Sequence, residues 1–195
     1  MWTMRVLVAE DDPIIALGIA RRLGSLGHEV VGPVARGADA VALARSEGAD
    51  LYLLDVDLED DLDGLAVSRT LSEEGPRRPV VILTGLDDAD LVERSIASGV
   101  LAFLTKPVDD RQLDAALRVA AARHAELEEL HGEVDDARQA LADRKVVEQA
   151  KGLLIRSLGV TEPEAFSRIQ RTARDRNVKL VEVARSIVAQ RSLLE

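Results

Sequence analysis

At 195 residues the chain is long for one domain and too short for three, so we expect a domain of about 120 residues joined to a smaller one. The absence of cysteine excludes disulfides, thiolate catalysis and cysteine-ligated zinc or iron–sulfur sites. The sequence shows neither an apolar stretch long enough to span a membrane nor the pattern of a secretory leader, so we expect a cytoplasmic protein. The net charge of -10 is divided unevenly, because residues 1–141 carry 14 basic and 28 acidic side chains and residues 142–195 carry 11 basic and 7 acidic. Only the C-terminal part is therefore suited to a polyanion, although short helical domains often differ by a few charges without any such partner.

Short apolar runs alternate with helical patterns along the first half of the chain. The runs lie at residues 5–9, 29–31, 51–54, 79–83 and 101–104, and the intervening helices at about 13–24, 37–47, 65–74 and 88–97. Continuous apolar runs predict strands that are covered on both faces, as in a parallel sheet between helices. We therefore predict a doubly wound five-stranded α/β domain, with its ligands at the carboxyl ends of the strands.

A long helix is predicted after Pro107, from about residue 109 to 142 or beyond. Its apolar side chains follow alternating three- and four-residue steps: Leu113, Ala116, Ala120, Leu127, Leu130, Val134, Ala137 and Leu141. The first turns are expected to pack on the sheet, and the later ones predict a parallel dimer seam because an apolar stripe needs a partner. Gly132 and the charged residues around it weaken that seam, which favours a short or conditional coiled coil.

The last 50 or so residues are predicted to form three short helices. The first has its apolar face at Val146, Val147, Ala150, Leu153 and Leu154. The second starts at a capping box, Thr161-Glu-Pro-Glu164, and the third buries Leu180, Val183, Ala184 and Ile187. This is a small all-α domain, distinct from the sheet.

Each predicted strand except the second is followed by a chemically reactive group. Glu10-Asp11-Asp12 follow the first strand, Asp55 the third, Thr84 the fourth and Thr105-Lys106-Pro107 the fifth. Carboxylates brought close together repel one another unless a divalent cation neutralises them, and oxygen ligands of this kind suit Mg²⁺. A lysine and a hydroxyl aimed at the same point would balance an added phosphoryl group.

In this arrangement residues 4–120 resemble the receiver domain of bacterial two-component response regulators. The resemblance implies that Asp55 accepts a phosphoryl group from a sensor histidine kinase, and that Glu10, Asp11, Asp55 and the backbone carbonyl of Asp57 hold Mg²⁺. It further implies that Lys106 pairs with the phosphoryl group, that Thr84 and Phe103 move as a switch, and that the Lys106–Pro107 peptide is cis. The sequence departs from the family at Leu58-Glu59, where Met-Pro is usual, and Asp63-Gly64 lies one residue late, which makes the acidic loop after Asp55 longer.

The C-terminal segment resembles the ANTAR module, an RNA-binding antitermination output that is found fused to receivers. The resemblance rests on Gln149-Ala-Lys-Gly-Leu-Leu154, Glu164-Ala-Phe166, Ile169-Gln-Arg171 and residues 180–184. It implies a dimer that binds hairpin RNA, with dimerisation favoured by phosphorylation. Candidate RNA contacts are Lys145, Lys151, Arg156, Arg168, Arg171 and Arg174, of which Lys151 and Arg171 stand in the motif and the others are basic residues off the apolar faces. We expect a receiver at 1–122, a helical linker at 123–141 and the RNA-binding domain at 142–195.

Two other functions fit parts of this pattern. Asp55-Val-Asp57 after an apolar strand also suits a phosphatase of the haloacid dehalogenase type, but that family starts with its Asp-x-Asp strand and places further metal-binding acids after the lysine. Three short helices could also form a DNA-binding or protein-binding output, against which stand the Ala-Lys-Gly and Ala-Phe motifs and the lack of a strongly basic recognition helix. We therefore expect a signalling protein rather than an enzyme, and RNA rather than DNA as its target.

Overall fold

The computed structural model describes residues 2–59, 61–85 and 98–192, and these divide into two compact units, Met1–Glu128 and Glu129–Glu195. The first unit contains five parallel strands in the order β2-β1-β3-β4-β5. The strands are β1 Arg5–Ala9, β2 Glu29–Val34, β3 Leu51–Asp55, β4 Val80–Thr84 and β5 Val100–Thr105. The helices are α1 Pro13–Ser25, α2 Gly37–Glu47, α3 Gly64–Glu74, α4 Asp110–Leu158, α5 Glu162–Arg176 and α6 Leu180–Ser192. The predicted doubly wound sheet is thus confirmed, and the helix predicted at 88–97 lies outside the described residues.

The three central strands β1, β3 and β4 are buried on both faces, which explains their continuous apolar runs. In β3, Tyr52 and Leu54 pack with α2 and α3, whereas Leu51 and Leu53 pack with α1 and the start of α4. Successive side chains of a strand point to opposite faces, so a strand between two helical layers must be apolar at every position. Each leucine buried in this way stabilises the fold by about 1.5–3 kcal/mol relative to an exposed one.

Aspartates cap two helices whose N-termini adjoin the carboxyl edge of the sheet. The Asp12 side chain accepts hydrogen bonds from the backbone N–H groups of Ile14 at 2.8 Å and Ile15 at 3.1 Å, with Pro13 in the first turn of α1. Asp63 caps α3 in the same way by accepting from the Ala66 N–H at 2.7 Å. Such caps satisfy otherwise unpaired donors, and they fix the loops that follow β1 and β3.

Helix α4 is 49 residues long and ends at Leu158, in agreement with a helix predicted from about residue 109 to 142 or beyond. Its first turns bury Leu113, Leu117 and Ala120 against the sheet, while Leu130 and Leu141 further along are exposed. The first of the three predicted short helices is therefore the C-terminal end of α4. No proline lies between Pro107 and Pro163, so no residue of that kind breaks the backbone between the predicted long helix and the predicted short helix that follows it, and the two form one continuous helix.

The second unit packs α5 and α6 against the end of α4. Its core consists of Ala150, Ile169, Ala173, Val183 and Ala184. The predicted capping box is present at the start of α5, where Glu164 accepts a hydrogen bond from the Thr161 N–H at 2.8 Å. None of the helices within 2–59, 61–85 and 98–192 has the length and apolar character that a membrane crossing requires.

Candidate functional site

Three carboxylates meet at the carboxyl edge of the sheet. Glu10 directly follows β1 and Asp55 ends β3, and these strands are hydrogen-bonded neighbours. Glu10 is 2% exposed, Asp55 is 3% exposed and Asp11 is half-buried. One carboxylate oxygen from each lies within 4.8 Å of the other two, as expected for a cluster able to hold a metal ion. Asp57, whose backbone carbonyl is predicted to bind the metal only by the resemblance to receivers, has an exposed side chain two residues after β3.

Lys106 enters this cluster from the loop after β5. Its Nζ donates hydrogen bonds to Glu10 Oε1 at 2.8 Å and to Asp55 Oδ2 at 2.6 Å. Glu10 Oε2 lies 2.7 Å from the same nitrogen, so both oxygens of this buried carboxylate face the ammonium group. The three clustered carboxylates carry more negative charge than one lysine balances, and they supply the oxygen ligands that a hard divalent ion prefers, so the residues present fit such an ion.

Burial sets the protonation of this cluster. It raises the pKa of Glu10 to about 7, with the Asp55 charge acting in the same direction and Lys106 opposing it. Burial likewise raises the pKa of Asp55 against the hydrogen bond from Lys106. Burial acts to lower the pKa of Lys106, but the hydrogen bonds to Asp55 and Glu10 outweigh it and the pKa is raised. The two buried acids therefore require positive charge beside them to remain ionised together.

Two glycines hold the loop after Asp55 close to the site. A Cβ at Gly64 would lie 2.1 Å from the Asp55 carbonyl oxygen, and a Cβ at Gly37 would lie 2.2 Å from the Leu62 carbonyl oxygen. The Gly64 N–H donates to the Val56 carbonyl at 3.1 Å. Gly64 thus packs against the end of β3 and Leu62 packs against the start of α2, by contacts that only glycine allows. Sequence reasoning noted the offset of Gly64 but missed Gly37, which no motif distinguishes.

The remaining receiver residues lie beside the cluster on neighbouring strands. Thr84 ends β4, is half-buried, and donates from its hydroxyl to the Gly85 carbonyl at 3.0 Å. Phe103 lies in β5 and is 37% exposed. The Lys106–Pro107 peptide is cis. Thr84 and Thr105 are paired in the sheet register, so the ends of β4 and β5 lie level with one another.

The six basic residues predicted to contact RNA differ in their surroundings. Five are exposed: Lys145, Arg156, Arg168, Arg171 and Arg174. Lys151 is 9% exposed, and its Nζ lies 2.8 Å from Glu148 Oε1 and 2.6 Å from Glu162 Oε1. Hydrogen bonds to Glu148 and Glu162 raise the pKa of Lys151. Its ammonium group ties the end of α4 to the first turn of α5 and is not directed freely at solvent.

The fold and the cluster of Glu10, Asp55 and Lys106 define a receiver domain. Residues 6–118 match the family model of the response regulator receiver domain, and residues 135–188 match the ANTAR domain. The chain therefore belongs to the response regulator family and carries an ANTAR domain after its receiver.

Individual relatives agree with this assignment. Transcriptional regulatory protein PdtaR of Mycobacterium tuberculosis is 40% identical over 186 residues, which cover 94% of this chain and 89% of the relative. Response regulator protein VraR of Staphylococcus aureus is 31% identical over 117 residues, 60% of this chain and 56% of the relative. The signal receiver domain of a modulated diguanylate cyclase from Desulfovibrio desulfuricans superposes with a TM-score of 0.59 at 28% identity and covers 65% of this chain and 99% of that chain. The similarity to PdtaR thus extends over both parts of the chain, whereas the other two match a shorter part.

Proposed function

We propose that this response regulator takes a phosphoryl group at Asp55 in a Mg²⁺-dependent reaction and uses its ANTAR domain to bind hairpin RNA and control transcription termination. The observation that carries the proposal is the position of Lys106 Nζ, 2.6 Å from Asp55 Oδ2 and 2.8 Å from Glu10 Oε1. This geometry places one cation against Asp55 and Glu10, and the cluster of Glu10, Asp11 and Asp55 leaves negative charge for a second cation. We propose domain boundaries at 1–122, 123–141 and 142–195.

The phosphoryl donor in this proposal is the phosphohistidine of a sensor kinase. An Asp55 carboxylate oxygen attacks the phosphorus, the P–N bond breaks, and the bond electrons leave with the imidazole of the kinase. The product is an acyl phosphate that carries nearly two negative charges at neutral pH. Glu10 and Asp11, with Asp55 and the Asp57 carbonyl, would hold Mg²⁺, which would neutralise part of this charge.

The switch in this proposal consists of Thr84 and Phe103. The Thr84 hydroxyl is hydrogen-bonded to the Gly85 carbonyl, and Phe103 is 37% exposed, so neither side chain is enclosed in the core. A phosphoryl group at Asp55 would attract the Thr84 hydroxyl, and Phe103 would follow into the space that it leaves. Conversion of such a switch from 1:99 to 99:1 requires about 5.5 kcal/mol of differential stabilisation.

The exposed stripe of α4 supports homodimer formation on phosphorylation. Leu130 is 51% exposed, Val134 is 48% exposed and Leu141 is 57% exposed, at steps of four and seven residues along one helix. Spacing of this kind forms the seam of a coiled coil in which each apolar side chain packs between those of a second helix. A dimer would present two output domains together and thereby strengthen RNA binding.

The test is a titration of hairpin-rich leader RNAs from the protein's own genome, with and without Mg²⁺ and beryllofluoride, an acyl-phosphate mimic. We expect tighter RNA binding and a doubled mass by light scattering in the activated state. Asp55→Asn, which keeps the size of the side chain but removes the acceptor charge, should respond to neither addition. Preferential binding of a duplex DNA control would instead indicate a DNA-binding output, and unchanged mass and RNA affinity would contradict the coupling.

A further inference from the structure

An apolar pocket with two arginines at its border lies within the second unit. Its volume is about 290 Å³, and it lies between the end of α4, one face of α5 and the later part of α6. Arg168, Arg171 and Thr172 contribute from α5 at positions that share a helix face, and the other lining residues are Leu154, Leu158, Ile169 and Ile187. Ile169 is 1% exposed and belongs to the core of the unit, so the floor of the pocket is apolar and fixed.

The charges around the pocket favour an anionic partner. None of the described residues that line it is acidic. Arg171 forms no ion pair with any residue in the part of the chain that the structure describes, in contrast to Lys151, which is held by two carboxylates, and Arg185, which pairs with Asp143 at 2.8 Å. Arg171 therefore differs from the basic residues that serve the packing of the unit, because its guanidinium is unpaired at the mouth of an apolar cavity among the described residues.

We propose that this pocket receives one unpaired nucleobase from the loop of the bound hairpin, with Arg168 and Arg171 contacting the base face and the adjoining phosphates. The proposal rests on the proposed RNA-binding function and assigns it a recognition subsite. RNA loops are commonly recognised through bases that are turned out of the stack and placed against guanidinium planes or apolar surfaces. A single base is small enough for a cavity of about 290 Å³. The backbone phosphates on either side of that nucleotide would then lie near the guanidinium of Arg171.

The main alternative occupant is an apolar side chain from a second copy of the protein. An interface between two copies of the chain would be expected to have an apolar border, like the exposed apolar side chains of α4. The arginine border of this pocket favours a nucleic acid, because a guanidinium desolvated by an apolar side chain would lose hydrogen bonds without gaining any.

The experiment uses the full chain, activated with Mg²⁺ and beryllofluoride, and a pool of RNA hairpins that share one fixed stem and carry a randomised loop. The tightest hairpin is then made with a single abasic nucleotide at each loop position in turn. We expect one position at which removal of the base weakens binding about 5- to 150-fold, the range for a base stacked on a protein side chain.

Thr172→Phe tests the pocket because it fills the cavity and leaves both arginines in place. We expect this variant to bind the intact and the abasic hairpin equally well, so that the two changes are not additive. Ser167→Phe is the matched control, because it adds the same ring at an exposed position of α5 that does not line the pocket, and it should keep the full dependence on the base. Arg171→Gln is a second variant that does not rely on filling the cavity, and it should weaken binding and lower the salt slope by about one.

The outcomes separate this proposal from the function on which it rests. Failure of every hairpin to bind would overturn both. Hairpin binding without any critical loop base, or with a base dependence that survives Thr172→Phe, would overturn the pocket alone. A Thr172→Phe variant that changes the mass of the protein but keeps the base dependence would show that the pocket belongs to a protein interface.

Discussion

Replacement of Gly64 by alanine tests whether close packing after β3 holds Asp55 in place. The added Cβ would lie 2.1 Å from the Asp55 carbonyl oxygen and 3.3 Å from Leu54 Cβ, whereas ordinary contacts begin near 3.4 Å. Either the start of α3 or the Asp55 peptide must therefore move by about 1 Å, because the nearest obstacle is backbone that cannot rotate away. We expect Gly64→Ala to displace Asp55 from Lys106.

The expected cost follows from this contact. Overpacking of a tightly packed site costs about 1–3 kcal/mol. In a domain of this size each kcal/mol corresponds to a change in Tm of about 4 °C, so the Tm of the receiver should fall by about 4–12 °C. The matched control is Gly24→Ala in α1, where nothing lies within 4 Å of the new Cβ. That change should stabilise the helix by about 0.5–1 kcal/mol because alanine loses less backbone entropy than glycine.

The assay combines thermal unfolding with fluorine NMR of beryllofluoride bound in the presence of Mg²⁺. Gly64→Ala should lower the Tm and weaken beryllofluoride binding, and Gly24→Ala should raise the Tm and bind as the wild type does. If Gly64→Ala behaved like Gly24→Ala in both measurements, the contact with the Asp55 carbonyl would not constrain the site.

Three further predictions concern pH, the output domain and the metal. Burial lowers the pKa of His28 below its ordinary 6.5, with Asp114 opposing and Arg118 adding to the effect. The unfolded chain therefore binds this proton at a higher pH than the folded chain does, and the free energy of unfolding falls as the pH drops below about 6.5. His28→Gln should flatten this pH dependence in urea titrations, and an unchanged pH dependence would contradict the reasoning. Lys151→Met should lower the Tm of the output domain and weaken RNA binding, but the slope of log affinity against log salt concentration should not change, because Glu162 already pairs with the ammonium group. A slope reduced by about one would instead identify a contact between Lys151 and a phosphate. Removal of Mg²⁺ with EDTA should abolish the fluorine signal of bound beryllofluoride, because the added anion would then lie beside buried carboxylates that only one lysine balances. A signal that persisted would argue against a metal site.

The sequence by itself predicted the receiver and the cluster at the carboxyl edge of its sheet because the relevant signals are local. A strand buried on both faces must be apolar throughout, so Leu51–Asp55 and its neighbours were recognisable as parallel strands. Parallel strands share one carboxyl edge, so Glu10, Asp55 and Lys106 could be expected to meet there. The capping box at Thr161 was equally local, since both of its partners lie within one helical turn.

Tertiary structure decided the features that depend on distance between remote residues. The sequence gives no indication that Lys151, a basic residue in a predicted RNA motif, is buried between Glu148 and Glu162. It also marks Gly37 no more than any other glycine, although a Cβ there would strike the Leu62 carbonyl. Periodicity and spacing describe which face of an element a residue occupies, whereas ion pairing and close approach depend on how elements pack, and only the folded chain specifies that packing.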